Sequence, residues 1–175
     1  MPKYRKMLCD LNAPYIKSLM GLIETQSKAT LINWAVDYSE KVMLPLYNKY
    51  YPDDERPLNA LNAARLWLKG EIKLPEAKKA ILQCHSAARE AEGNPVPQAA
   101  ARAIGQSAST IHSATHCTGL AFYGTLAVAY EALGTNAPWA QIEQYAAEEC
   151  GRMEAALRSI AVENEPNPAK INRHC

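Results

Sequence analysis

Residues 103–130 read AIGQSASTIHSATHCTGLAFYGTLAVAY, a run without a single Asp, Glu, Lys or Arg. A helix that shows no charge on any side is normally buried all round. The run is not a membrane span, because Gln106, Ser107, Ser109, Thr110, His112, Ser113, Thr115, His116 and Thr118 make it far too polar for lipid. It reads instead as the middle of a long central helix, Gln98 to Leu133, interrupted near Gly119 or Gly124. Its glycines and alanines let neighbouring backbones approach closely.

Outward from this segment, helical spacing recurs and no stretch alternates long enough for a persuasive strand. A short helix is expected over about 11–23. A second begins after Ser27, whose hydroxyl suits an N-cap, and places Leu31, Trp34, Ala35, Tyr38, Val42 and Leu46 on one face. Pro45 should kink or end it, since proline deletes a backbone donor and clashes with the preceding turn. Pro57 opens a third helix that stops at Gly70, and Pro75 opens a fourth carrying Ala77, Ala80, Ile81, Cys84, Ala88 and Ala91 on one side. Gly93-Asn94-Pro95-Val96-Pro97 is the clearest linker, Gly134 to Pro138 is a turn, and a last helix covers about 139–160. The sequence thus predicts an all-α protein: a single domain over 1–175, built as a bundle of about six helices around a long, charge-free central helix, with 163–175 an extended tail.

Composition fits. A chain of 175 residues with 48% apolar and 21% charged residues lies in the globular range and can bury its own core. The formal charge of +1 argues against nucleic acid or an acidic membrane as partner, although the first 80 residues lean basic and the remainder acidic. Five cysteines, Cys9, Cys84, Cys117, Cys150 and Cys175, are odd in number and form no CxxC, the usage of a reducing compartment. Asp10, Asn12, Pro14 and Lys17 break any apolar run at the N-terminus, so no secretory signal of ordinary form is expected. The protein reads as cytoplasmic.

On a helical wheel, Arg102, Gln106, Ser109, His112, Ser113 and His116 share one side, with Gly105 and Tyr123 beside them. Short polar groups and two histidines, in place of Lys and Glu, mark a face that is polar yet covered by other helices or by a ligand. His112 and His116, four apart, suit two ligands of one metal; Ser113 stands where H-E-x-x-H would need its glutamate, and no third ligand follows from spacing. The plainer alternative is two histidines hydrogen-bonded inside the bundle. His85 and Arg89 form another i, i+4 pair beside an apolar stripe, so His85, Arg89, Arg102, Gln106, His112 and His116 are candidates for one polar pocket. In the segment Pro52 to Pro57, Asp53, Asp54 and Arg56 either favour the start of the following helix or form a charged loop for a partner, with Arg65 as a further candidate. Either Asp53 or Asp37 is the expected partner of Arg65. No nucleophile–base–orienter set, glycine-rich phosphate loop or paired carboxylates can be read, which favours a binding role over an enzymatic one.

Several segments in order resemble a bacterial family, the immunity-five-like proteins of polymorphic toxin systems. They are Trp34-Ala35 with Asp37, Glu40 and Pro45; Pro52-Asp53-Asp54 with Arg56-Pro57; Ala63-Ala64-Arg65 with Trp67 and Gly70-Glu71; His85 with Ala87-Ala88-Arg89; and Ala100-Ala101-Arg102-Ala103 with Gly105-Gln106, Thr110, His112, His116 and Tyr123. Tyr38 stands where the pattern has a small residue or cysteine. The resemblance spans about 31–130 and implies an α-helical protein that binds a cognate protein toxin and neutralises it; no cofactor is expected, with a metal at His112 and His116 the one exception left open. The alternatives are a helical module that binds a small ligand or metal through the histidine-lined pocket, and an enzyme whose site assembles only in three dimensions.

Overall fold

Ser27 caps the first long helix as its sequence suggests: its Oγ accepts from Thr30 N–H at 3.2 Å. The computed structural model describes residues 4–8 and 10–173. Among them it is all-helical, in the order α1 (Pro14–Ile23), α2 (Lys28–Tyr38), a π turn (Ser39–Met43), α3 (Leu44–Asn48), α4 (Arg56–Leu68), α5 (Leu74–Glu90), α6 (Pro95–Ser109), a 3-10 turn (Ala114–Cys117), α7 (Thr118–Leu133) and α8 (Trp139–Ile160). Since α2, the π turn and α3 run on without a loop, the described chain forms a bundle of seven rods.

Pro45 neither ends nor breaks the second rod. The π turn precedes it, with Leu44 N–H donating five residues back to Ser39 O, and this wider turn accommodates the donor that proline lacks. The extra residue rotates everything that follows. The fully buried positions are Ser39, Met43 and Tyr47, with the expected Tyr38, Val42 and Leu46 half-buried beside them against the core. Further along, Gly70 closes α4 at φ +76°, a region that glycine enters without steric penalty. Glu71 N–H can then turn back to Leu66 O at 2.9 Å.

The charge-free segment is central but is not one helix. It divides into α6 and α7, and the break lies at 110–117 rather than at either glycine; Gly119 and Gly124 both sit inside α7. Hydroxyls account for it. Ser109 Oγ donates to Gly105 O at 2.7 Å and Thr110 Oγ1 to Gln106 O at 3.4 Å, so side chains compete for the carbonyls of the last turn. The backbone tightens to three-residue hydrogen bonds and becomes extended at Ser113.

Around α6 pack α2, α3, α4, α5 and α7, while α8 lies against α1, α2 and α7. Of the fifteen residues of α6, only Pro95, Arg102 and Gln106 escape full burial. Polar groups within the core are satisfied: Trp34 Nε1–H donates to Met153 O at 2.9 Å, and Ser39 Oγ to Ser107 Oγ at 2.8 Å. After α8 the chain runs back without helix through 161–173. Buried Gln26 holds it, accepting from Val162 N–H at 2.7 Å through its side chain and from Ala169 N–H at 2.8 Å through its backbone. Arg173 forms an ion pair with Glu24, and Asn172 N–H donates to Thr115 Oγ1. No helix among the described residues is long and apolar enough to cross a membrane.

Candidate functional site

The only part of α6 left open, apart from its first residue, is the strip carrying Arg102 and Gln106. A groove of two lobes lies over it. One lobe, about 280 Å³, is lined by His85, Ala88, Arg89, Arg102, Gln106 and Tyr123. The other, about 340 Å³, continues past Gln106 and Tyr123 to Met7, Gly119, Phe122 and His116. Three elements converge here: α5 supplies His85 and Arg89, α6 supplies Arg102 and Gln106, and α7 supplies the aromatic wall.

Close backbone approaches fix the polar side chains. A Cβ on Gly105 would lie 2.6 Å from His85 Cε1, so the imidazole occupies the space that glycine leaves on α6. Likewise, a Cβ on Gly119 would lie 2.6 Å from Gln106 Cγ. Ser109 Oγ, which donates to Gly105 O at 2.7 Å, also lies 3.5 Å from His85 Nε2. Gln106 Oε1 lies 2.8 Å from His116 Nδ1, which orients that ring. Both imidazoles are held below the ordinary histidine range. For His85 the causes are burial, then the charges of Arg89, His116 and Arg102; for His116, burial and then His112. Arg102 lies over the Tyr123 ring at 5.8 Å.

The sequence profile of one family, described as Imm-5 like putative immunity protein, matches residues 21–156. The chain belongs to that family. No curated protein and no solved structure matches it. The matched region contains every groove residue except Met7 and leaves out most of α1 and the returning tail.

His112 is the pocket candidate that stands apart. The break after Ser109 puts it on an exposed turn and His116 on the 3-10 turn, so the two are not successive turns of a helix. Their rings stack at 6.1 Å with a 27° interplanar angle. Among the described residues no three of His, Cys, Asp or Glu are grouped to hold a metal ion.

The charged loop is braced from within. Asp54 accepts from Tyr47 Oη at 2.6 Å and from Arg56 through its backbone and guanidinium, and Arg56 reaches on to both oxygens of Glu90 at 2.7–2.9 Å. These donors hold the Asp54 carboxyl down at about 2, the Arg56 side chain being the largest cause. Arg65 pairs with Asp37 at 2.8 Å and with Glu40 at 2.6 Å, and not with Asp53. Asp53 is exposed at the tip.

Two lining residues lay outside the sequence reading. Phe122 is the single phenylalanine of the chain, a signal available but unused. Met7 comes from the N-terminal segment, which Leu8 N–H ties to Phe122 O at 2.8 Å, and no spacing rule connects it with α7. The family position Tyr38 also has a structural role here. Its hydroxyl donates at 2.6 Å to Glu149, which is 3% exposed and whose other oxygen takes Arg152 Nε at 2.7 Å.

Proposed function

We propose that the protein is an immunity protein that acts in the bacterial cytoplasm, binding one cognate protein toxin and blocking it stoichiometrically. The observation that carries this reading is the family match over 21–156, which takes in α2 through most of α8. The braced loop supports it. Asp54, Arg56 and Glu90 brace the loop beside the exposed Asp53, which lowers the ordering entropy that opposes docking of a partner. Recognition through such a rim is electrostatic and governs association more than residence.

Co-expression with a candidate toxin from the same genome tests the reading. Wild-type protein should restore growth at a one-to-one ratio, and absence of rescue at normal protein levels would sink it. Asp53→Lys, which leaves the Asp54–Arg56–Glu90 network intact, should slow association more at low salt than at high salt. His112→Ala should leave association by folded protein unchanged. A small-ligand role for the groove is a second reading, favoured by one specific feature: two arginines line it, and neither is in an ion pair among the described residues.

A further inference from the structure

Eight arginines lie among the described residues, and five of them, Arg56, Arg65, Arg152, Arg158 and Arg173, are in ion pairs. Of the other three, Arg5 covers the Trp139 ring at 3.8 Å. The remaining two, Arg89 and Arg102, line the same lobe of one groove. Neither forms an ion pair among the described residues, and no Asp or Glu lines either lobe. The acidic group that feels Arg102, Glu92, is engaged by Lys6 at 3.0 Å. Arg89 donates to the neutral Ser86 Oγ at 2.6 Å and Arg102 lies over the Tyr123 ring, so two guanidiniums without a carboxylate partner stand together over the open strip of the central helix.

The neighbouring lobe has a different character. Phe122 and Tyr123 supply aromatic surface, Met7 a soft apolar contact, and Gly119 a stretch of wall without a side chain. Gln106, held by His116, and Tyr123 are common to both lobes, so a doubly cationic lobe and an aromatic one adjoin at these two side chains. Guanidinium forks match the planar or tetrahedral oxygens of carboxylate and phosphate. The two lobes together have the size of a small-molecule site.

We propose that this groove binds a small organic oxyanion, with its phosphate or carboxylate head between Arg89 and Arg102 and its flat apolar body against Phe122 and Tyr123. Gln106 supplies a further polar contact at the junction of the two lobes. His85, seated against Gly105, forms the floor of the head-group lobe and is a positioning residue. The site is independent of toxin binding, and either assignment can fail without the other.

Isothermal titration of the full-length protein tests it, with phenyl phosphate, benzoate, inorganic phosphate and phenol as probes. At least one of phenyl phosphate and benzoate should bind, and the comparison of the two identifies the head group as phosphate or carboxylate. Inorganic phosphate should bind about tenfold or more weakly than phenyl phosphate if phosphate is the head, and phenol should not bind. Arg102→Gln should weaken the preferred probe at least about tenfold, and so should Arg89→Gln, an exposed position whose change leaves the core untouched. Phe122→Leu should weaken that aromatic probe while leaving the weaker binding of its bare head group, inorganic phosphate or acetate, unchanged. Failure of both phenyl phosphate and benzoate to bind at millimolar concentration would overturn the proposal. So would undiminished binding by a folded Arg89→Gln protein.

Discussion

Adding one methyl group at Gly119 sets two opposing effects against each other inside α7. Alanine is the better helix former by about 1 kcal/mol, which favours the variant. The new Cβ, however, would lie 2.6 Å from Gln106 Cγ and 3.2 Å from its Cδ, and closer still to its Cβ. Carbon atoms pack at about 3.5–4.0 Å, so the overlap at the nearest atoms is about an ångström or more. Rotation of Gln106 cannot relieve it, because its Cβ is fixed to the α6 backbone; α6 and α7 must move apart at the centre of the bundle. Such overpacking costs about 1–3 kcal/mol, occasionally more. Gly119 is the second residue of α7, where little of the propensity gain is realised, so the net change should be destabilising by about 2 kcal/mol. For a chain of this length that lowers Tm by roughly 4–8 °C, and the urea midpoint should fall with an unchanged slope. Gly21→Ala and Gly151→Ala are internal controls: both positions are helical and a Cβ there meets nothing within 4 Å. They should stabilise by about 0.4–1 kcal/mol. In a Gln106→Ala background Gly119→Ala should cost less, though not nothing, since the Cβ contact persists. A Gly119→Ala protein as stable as wild type would refute the close approach of α6 and α7 on which the groove depends.

Tyr38→Phe should cost about 1–3 kcal/mol, because it removes a donor from the buried Glu149 carboxylate, whereas Tyr50→Phe, whose partner Glu131 has an exposed hydrogen bond, should fall within about 0.5 kcal/mol of wild type by thermal melt. His85 and His116 titrate below their unfolded value of about 6.5, so the folded protein takes up protons less readily than the unfolded chain. Their contribution is complete above that value and is lost as pH falls below it. Urea midpoints from pH 7.5 to 5 should therefore decline for wild type and be flatter for His85→Gln/His116→Gln; equal slopes would contradict the burial of the two rings. Cys84, Cys117 and Cys150 are buried free thiols, with burial pushing Cys84 and Cys150 up to about 12. An aromatic disulfide reagent should leave all three unmodified until denaturant is added, as mass spectrometry of the native protein would show.

The sequence alone determined where helices begin and end at Ser27, Pro57, Gly70 and Pro75, because caps, proline and glycine act through backbone sterics and hydrogen bonds that each residue carries with it. It also determined that 103–130 lies at the centre, since a charge-free helix has no solvated face to offer. Only the tertiary structure decided the rest. Past the π turn before Pro45, full burial falls on Met43 and Tyr47 while Val42 and Leu46 lie half-buried at the edge, a phase that no count of a regular period anticipates. The competing hydroxyls at Ser109 and Thr110 were visible as residue types, yet whether they break a helix depends on the packing around it. The groove itself joins α5, α6 and α7 through two close approaches, His85 to Gly105 and Gln106 to Gly119. Arg56 found Glu90 across 34 residues of chain. Such pairings depend on which helix faces meet, and that is settled by packing the whole bundle at once, not by the spacing of residues along any one helix.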